Sequence, residues 1–120
     1  MPYNVIIAGS REFTNYELLC ERCDTLLANR PDAVVISGAA RGADQLGERY
    51  ARERGLGLVQ LPADWDAHGK RAGYLRNVAM AEKAQALIAF WDGKSRGTEH
   101  MIRIARECGL AVRVVQTTKA

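Results

Sequence analysis

Five short apolar runs punctuate the chain, at residues 3–8, 33–37, 57–61, 86–91 and 111–116. Each is five or six residues long and rich in Val, Ile, Leu or Ala, which predicts strands. The run Ala33-Val34-Val35-Ile36-Ser37 shows no polar alternation, as expected of a strand covered on both faces. Between the runs, apolar residues recur with helical spacing. Thr14-Asn15-Tyr16-Glu17 matches a capping box, with Thr14 as N-cap, and predicts a helix to about Asn29 burying Leu19, Cys23, Leu26 and Leu27. Arg30-Pro31-Asp32 breaks it. A second helix opens at Gly42, ends before Gly55 and turns Ala43, Leu46, Tyr50 and Ala51 inward. A third, from about Arg71 to Glu82, is expected to bury Leu75, Val78 and Ala79. The fourth runs from Glu99 to Cys108, with Met101, Ile102, Ala105 and Cys108 inward, and stops at Gly109. Residues 62–70 read as a loop and 117–120 as a frayed tail.

Five strands alternating with four helices predict a single α/β domain, a sandwich around a mainly parallel sheet with right-handed crossovers. In such sheets ligands lie beyond the carboxyl ends of the strands, where strand order reverses. With the order 3-2-1-4-5, loops 9–13 and 92–97 face each other across that crevice. The loop 38–42 flanks them.

Those three loops share a grammar of apolar strand, glycine turn and helix start. They are Gly9-Ser10-Arg11, Gly38-Ala39-Ala40-Arg41-Gly42-Ala43-Asp44 and Asp92-Gly93-Lys94-Ser95-Arg96-Gly97-Thr98. A turn of this kind aims backbone N–H groups and the positive end of a helix dipole at one point, where anions bind. Arg11, Arg41, Arg76 and Arg96 would add charge-assisted hydrogen bonds. None of the three is a G-x-G-x-x-G or a full G-x-x-x-x-G-K-[ST] phosphate loop, which argues against a conventional dinucleotide or triphosphate site.

Composition adds limits. The 120 residues carry a formal net charge of +3, too little to imply a nucleic-acid partner. No apolar run approaches a membrane span, and the N-terminus shows no signal peptide, so a cytoplasmic protein is expected. Cys20 and Cys23 form a C-x-x-C inside a predicted helix, where core packing explains them better than redox chemistry. Cys108, His68 and His100 are too scattered to complete a metal site, so no metal and no cofactor is expected. Trp65 and Tyr74 flank a stretch rich in Lys70, Arg71, Arg76 and Asn77. Their rings could stack on a base, or Trp65 could simply seal a sheet edge.

Taken together, Gly9-Ser10-Arg11-Glu12-Phe13, Ser37-Gly38-Ala39-Ala40-Arg41-Gly42-Ala43-Asp44, Gly69-Lys70-Arg71-Ala72-Gly73 with Arg76-Asn77 and Met80, and Phe90-Trp91-Asp92-Gly93 with Gly97-Thr98 and His100-Met101-Ile102 resemble the YspA-like branch of the SLOG superfamily. The match runs nearly end to end, with its motifs in the family's order. The resemblance implies a Rossmann-like three-layer sandwich that binds nucleotides or nucleotide-derived ligands. It also implies kinship with the LOG phosphoribohydrolases, in which Arg76 matches the catalytic arginine and Gly97-Thr98 the phosphate loop. This chain departs from them where LOG enzymes place a glutamate after Gly-Thr-x: His100 stands there, and Glu99 comes one residue early.

The expectation is thus a binding module for a nucleotide-type small molecule. Gly9, Ser10, Arg11, Gly38, Ala39, Arg41, Gly42, Asp44, Arg76, Asn77, Asp92, Gly93, Ser95, Gly97 and Thr98 would line its site. The alternative is an N-glycoside hydrolase acting on a nucleoside monophosphate or ADP-ribose-like substrate, with Arg76, Glu99 and His100 as catalytic candidates. A DNA-handling role is argued against by the weak net charge. A homo-oligomer is compatible with a domain of this class, though no sequence feature fixes an interface.

Overall fold

The computed structural model describes residues 2–117. Of the tail expected to fray, Thr117 donates its amide to the Trp91 carbonyl at 2.9 Å, and residues 118–120 lie outside the described residues. Strands β1 (Tyr3–Gly9), β2 (Ala33–Ser37), β3 (Gly57–Gln60), β4 (Ala86–Trp91) and β5 (Ala111–Gln116) form one sheet of order β3-β2-β1-β4-β5. Every pairing is parallel. Helices α1 (Tyr16–Leu26), α2 (Ala43–Arg54), α4 (Ala72–Lys83) and α5 (Arg96–Glu107) connect the strands. One extra turn, α3 (Trp65–His68), continues into a 3-10 turn at Gly69–Arg71, where the sequence suggested a loop. Among the described residues no helix is long and apolar enough to cross a membrane.

The unbroken apolar character of β1, β2 and β4 has a direct cause. Successive strand residues point to opposite faces, and both faces are covered. Val5, Ile7, Val35, Ile88 and Phe90 pack against Leu19 and Cys23 of α1 and Ala43, Tyr50 and Ala51 of α2. Ile6, Ala8, Ile36, Leu87 and Ala89 face the other way, onto Met80 and Ala81 of α4 and Met101, Ile102 and Ala105 of α5. Truncating a fully buried Ile or Leu in either layer to Ala would cost about 2–5 kcal/mol. Gly47 lets α2 lie close on β1, since a Cβ there would press into the Ile7 side chain at 2.7 Å.

Four local expectations are corrected. Helix α1 is capped by Asn15, whose Oδ1 accepts from the Leu18 amide, so the capping box at Thr14 does not form. Asn15 sits three residues before that amide, the reach an N-cap side chain needs. Leu75 and Val78 of α4 are exposed, and Ala72, Asn77, Met80 and Ala81 turn inward instead. Cys108 is exposed at the C-cap of α5. Of the three cysteines only Cys23 is fully in the core, and burial pushes its thiol up to about 12.

Candidate functional site

A cleft of about 210 Å³ opens at the carboxyl ends of the strands, at the switch point between β1 and β4. Ala8 and Gly9 of β1, Met80 of α4 and Met101 of α5 are among its lining residues. Arg11, Asp44, Lys70, Arg76 and Asn77 bring the polar chemistry, and Ser95, Gly97 and Thr98 bring the start of α5. Trp65 and Tyr74 also line it and stay 50% and 47% exposed.

Two of the three glycine turns are closed by the chain itself. In the β1–α1 turn, the Ser10 amide donates to the Phe90 carbonyl at 3.0 Å, and the Phe13 amide to the Ser10 carbonyl at 3.2 Å. In the β2–α2 turn, the Ala39 amide donates to Ser37 Oγ at 3.0 Å and the Ala40 amide to Asp44 Oδ2 at 3.1 Å. The Ala43 amide donates to the Ser10 carbonyl at 3.3 Å. Asp44 thus occupies the place an anion would take. Gly42, at φ +80°, packs directly on the Ser10 and Arg11 carbonyls and locks the two turns together. Beneath them, Ser37 Oγ donates to Glu48 Oε2 at 2.7 Å.

The β4–α5 turn is built differently. Asp92 Oδ1 accepts from the Lys94 and Ser95 amides, both at 2.8 Å, and these bonds hold its carboxyl below the usual range. The Asp92 amide donates to Ser10 Oγ at 3.2 Å, tying the turn to β1. Ser95 caps α5, with its Oγ accepting from the Thr98 amide at 3.4 Å. The turn faces the cleft through Ser95, Gly97 and Thr98 at the positive end of α5.

Arg76 spans the cleft from α4. Its Nη1 donates to the Gly38 carbonyl at 2.5 Å and its Nε to Asn77 Oδ1 at 3.1 Å. Asn77 Nδ2 in turn donates to the Gly97 carbonyl at 3.2 Å. One two-residue step on α4 therefore joins the β2–α2 wall to the β4–α5 wall. Burial lowers the pKa of Arg76, Asp44 opposes that effect, and the nearby Arg11 adds to it. Burial raises Asp44 from 3.8 to about 6, against the Ala40 amide and the Arg76 and Arg11 charges. With Lys70, three cations meet one buried carboxylate here, which leaves the cleft positive.

The structure does not gather every expected residue. Arg41 swings away from the cleft to pair with Glu12 at 2.7 Å in the open. Ala39 is exposed with φ +60°, and Gly93 is exposed with φ +82°. Glu99 and His100 line a separate groove with Tyr74, Arg96 and Arg103, beside the cleft that holds Arg76. The His100 ring packs edge-on to Tyr74, and its Nδ1 lies 3.1 Å from Asn77 Nδ2. Arg76 lines the cleft and Glu99 and His100 the groove beside it, with Asn77 bonded to both Arg76 and His100. Ala8, Met80 and Met101 were missed as lining because they read simply as core. Sheet order, which brings α4 and α5 together over the end of β1, is the signal that could have found them.

Comparisons with known proteins bear on the site. The profile of the family described as YspA, cpYpsA-related SLOG matches residues 3–68. The Gene 61 protein of Mycobacterium phage D29 is 37% identical over 115 residues, covering 90% of this chain and 92% of that protein. DNA processing protein A (DprA) from Streptococcus pneumoniae superposes with a TM-score of 0.77 at 19% identity, over 98% of this chain and 51% of that one. DNA processing protein A from Helicobacter pylori, whose structure is described for its single-stranded DNA binding mode, gives a TM-score of 0.72 at 19% identity. That match covers 97% of this chain and 66% of the other, so this chain spans only part of either DNA processing protein. At such identity the likeness is one of fold.

These neighbours overturn two expectations. A nucleotide-type small molecule, bound or cleaved, was expected, and nucleic acid was set aside. The two solved structures matched here by fold are instead DNA processing proteins, one of them described by its binding of a single strand. The physical fault lay in judging by the net charge of +3. What a nucleic acid meets is local potential, and this cleft concentrates it.

Proposed function

This chain belongs to the YspA, cpYpsA-related SLOG family, and we propose that it binds single-stranded DNA across the mouth of its cleft. The observation that carries the reading is the union of exposed aromatics with cations on one rim. Trp65 and Tyr74 stand beside Lys70, Arg11 and Arg76, next to the open start of α5. Sequence-tolerant single-strand binding needs that combination: rings on which bases stack, and charges that follow the backbone. A backbone phosphate would sit between Arg11, Arg76 and the Ser95–Thr98 turn, with a neighbouring base on Trp65. Duplex DNA hides its base faces and would not use the rings. The fold likeness to the DNA processing proteins supports the reading. The cytoplasm is where such a strand would be met.

Fluorescence anisotropy with a labelled oligothymidylate tests this. Binding should weaken steeply with salt, with a log–log slope of about −0.7 per phosphate neutralised. Unlabelled single strand should displace the probe far better than duplex or mononucleotide. Equal displacement by duplex, or no salt-sensitive binding at all, would defeat the proposal.

A further inference from the structure

Helix α4 carries one face that stays partly open to solvent among the described residues. Leu75 and Val78 are 38% and 37% exposed on it. One turn before Leu75 stands Arg71, and one turn after Val78 stands Glu82. Positions 71, 75, 78 and 82 follow helical spacing and form one stripe. Arg71 has helical dihedrals, φ −81° and ψ −11°, so the stripe extends into it. Arg71 and Glu82 are both exposed, and among the described residues neither joins an ion pair. Read along the helix, the stripe is cation, apolar, apolar, anion.

We propose that this stripe is the contact between two copies of the chain, paired through antiparallel α4 helices about a twofold axis. The stripe is complementary to itself. Arg71 and Glu82 are equally distant from the midpoint between Arg76 and Asn77, and so are Leu75 and Val78. Antiparallel pairing sets Arg71 against Glu82 of the second copy, and Leu75 against Val78, each twice. Parallel pairing would set like charge on like charge. An isologous contact has this property by symmetry, whereas a different protein would have no need of it. The stripe lies on the side of α4 opposite Met80, which packs on the sheet, and uses none of Arg11, Lys70, Trp65 or Arg76. Only two apolar side chains and two ion pairs per copy are involved, so the dimer is weak and concentration-dependent.

Sedimentation velocity on the full chain, from micromolar to submillimolar concentration, tests it. The wild type should shift from monomer to dimer across that range. Arg71→Glu and Glu82→Arg each create two like-charge pairs and should weaken association by roughly three- to tenfold. Mixing the two variants makes every facing pair opposite again and should restore association as a heterodimer. Val78→Asp, at an exposed position, should stay monomeric with unchanged circular dichroism. A wild type that is monomeric throughout would overturn the proposal. So would single reversals without effect, or a mixture that associates no better than its parts.

Discussion

On the β2–α2 side of the cleft, polar groups are engaged by the chain itself; along the Trp65–Tyr74 rim and the β4–α5 turn, aromatic and charged groups stand open. The Ala39, Ala40 and Ala43 amides all donate internally, and Asp44 fills the turn that an anion would otherwise enter. Across the cleft, Ser95, Gly97 and Thr98 present the start of α5 beside Lys70 and two half-exposed rings. Two turns with similar glycine spacing have thus diverged. One sets the position of Arg76 through the Gly38 carbonyl, and the other is tied to the neighbouring Asn77 through the Gly97 carbonyl. The carboxylates sit differently in the two turns: Asp44 reaches back to the Ala40 amide from inside α2, whereas Asp92 takes the Lys94 and Ser95 amides ahead of α5 and Glu99 lines the outer groove.

Breaking the closed side should cost stability first. Gly42→Ala places a Cβ on the Ser10 and Arg11 carbonyls at φ +80° and should destabilise by about 3–5 kcal/mol, read from urea unfolding. The same wall should give a pH signature. The carboxyl of Asp44 titrates near 6 in the fold and near 3.8 as a free group, so the folded state holds its proton longer. Stability from this group is complete below pH 3.8 and is lost as pH rises through about 6. The loss is of order 3 kcal/mol. Asp44→Asn should flatten the profile in that window, and an unchanged profile would remove Asp44 as its source.

Changes on the open side should spare the fold and cost binding. Trp65→Ala should weaken oligothymidylate binding by about 1–3 kcal/mol with little change in unfolding midpoint. Smallest of all, Arg41→Ala removes only an exposed pair with Glu12 and should change stability by less than about 1 kcal/mol. Because Arg41 faces away from the cleft, strand affinity should fall only slightly. If Arg41→Ala weakened binding more than Trp65→Ala, the division between the two sides would fail.

The strand pattern and sheet order were legible because β1, β2 and β4 are apolar on both faces, a signal that survives without knowledge of neighbours. The cap of α1 was misread by one residue, since Thr14 and Asn15 are both competent caps and only the entering backbone chooses between them. The inward face of α4 was misread for a different reason. Leu75 and Val78 are its bulkiest aliphatic residues, yet the cleft and sheet take Ala72, Asn77, Met80 and Ala81. Polar Asn77 is buried because it bridges Gly97 and Arg76, a role that exists only once β2 and β4 flank β1. The glycine turns were visible, but which of them was self-closed depended on long-range bonds such as the one from the Ala43 amide to the Ser10 carbonyl.

In the proposed mode of binding, a single DNA strand lies over the open rim and not over the closed wall. Amide and indole shifts in a two-dimensional NMR titration with an unlabelled oligothymidylate test it most directly. The largest changes should fall at Gly9, Arg11, the Trp65 indole, Gly73, Tyr74 and Gly97, with Arg41 and the outward face of α2 little moved. Changes centred elsewhere, or none at saturating oligonucleotide, would contradict it.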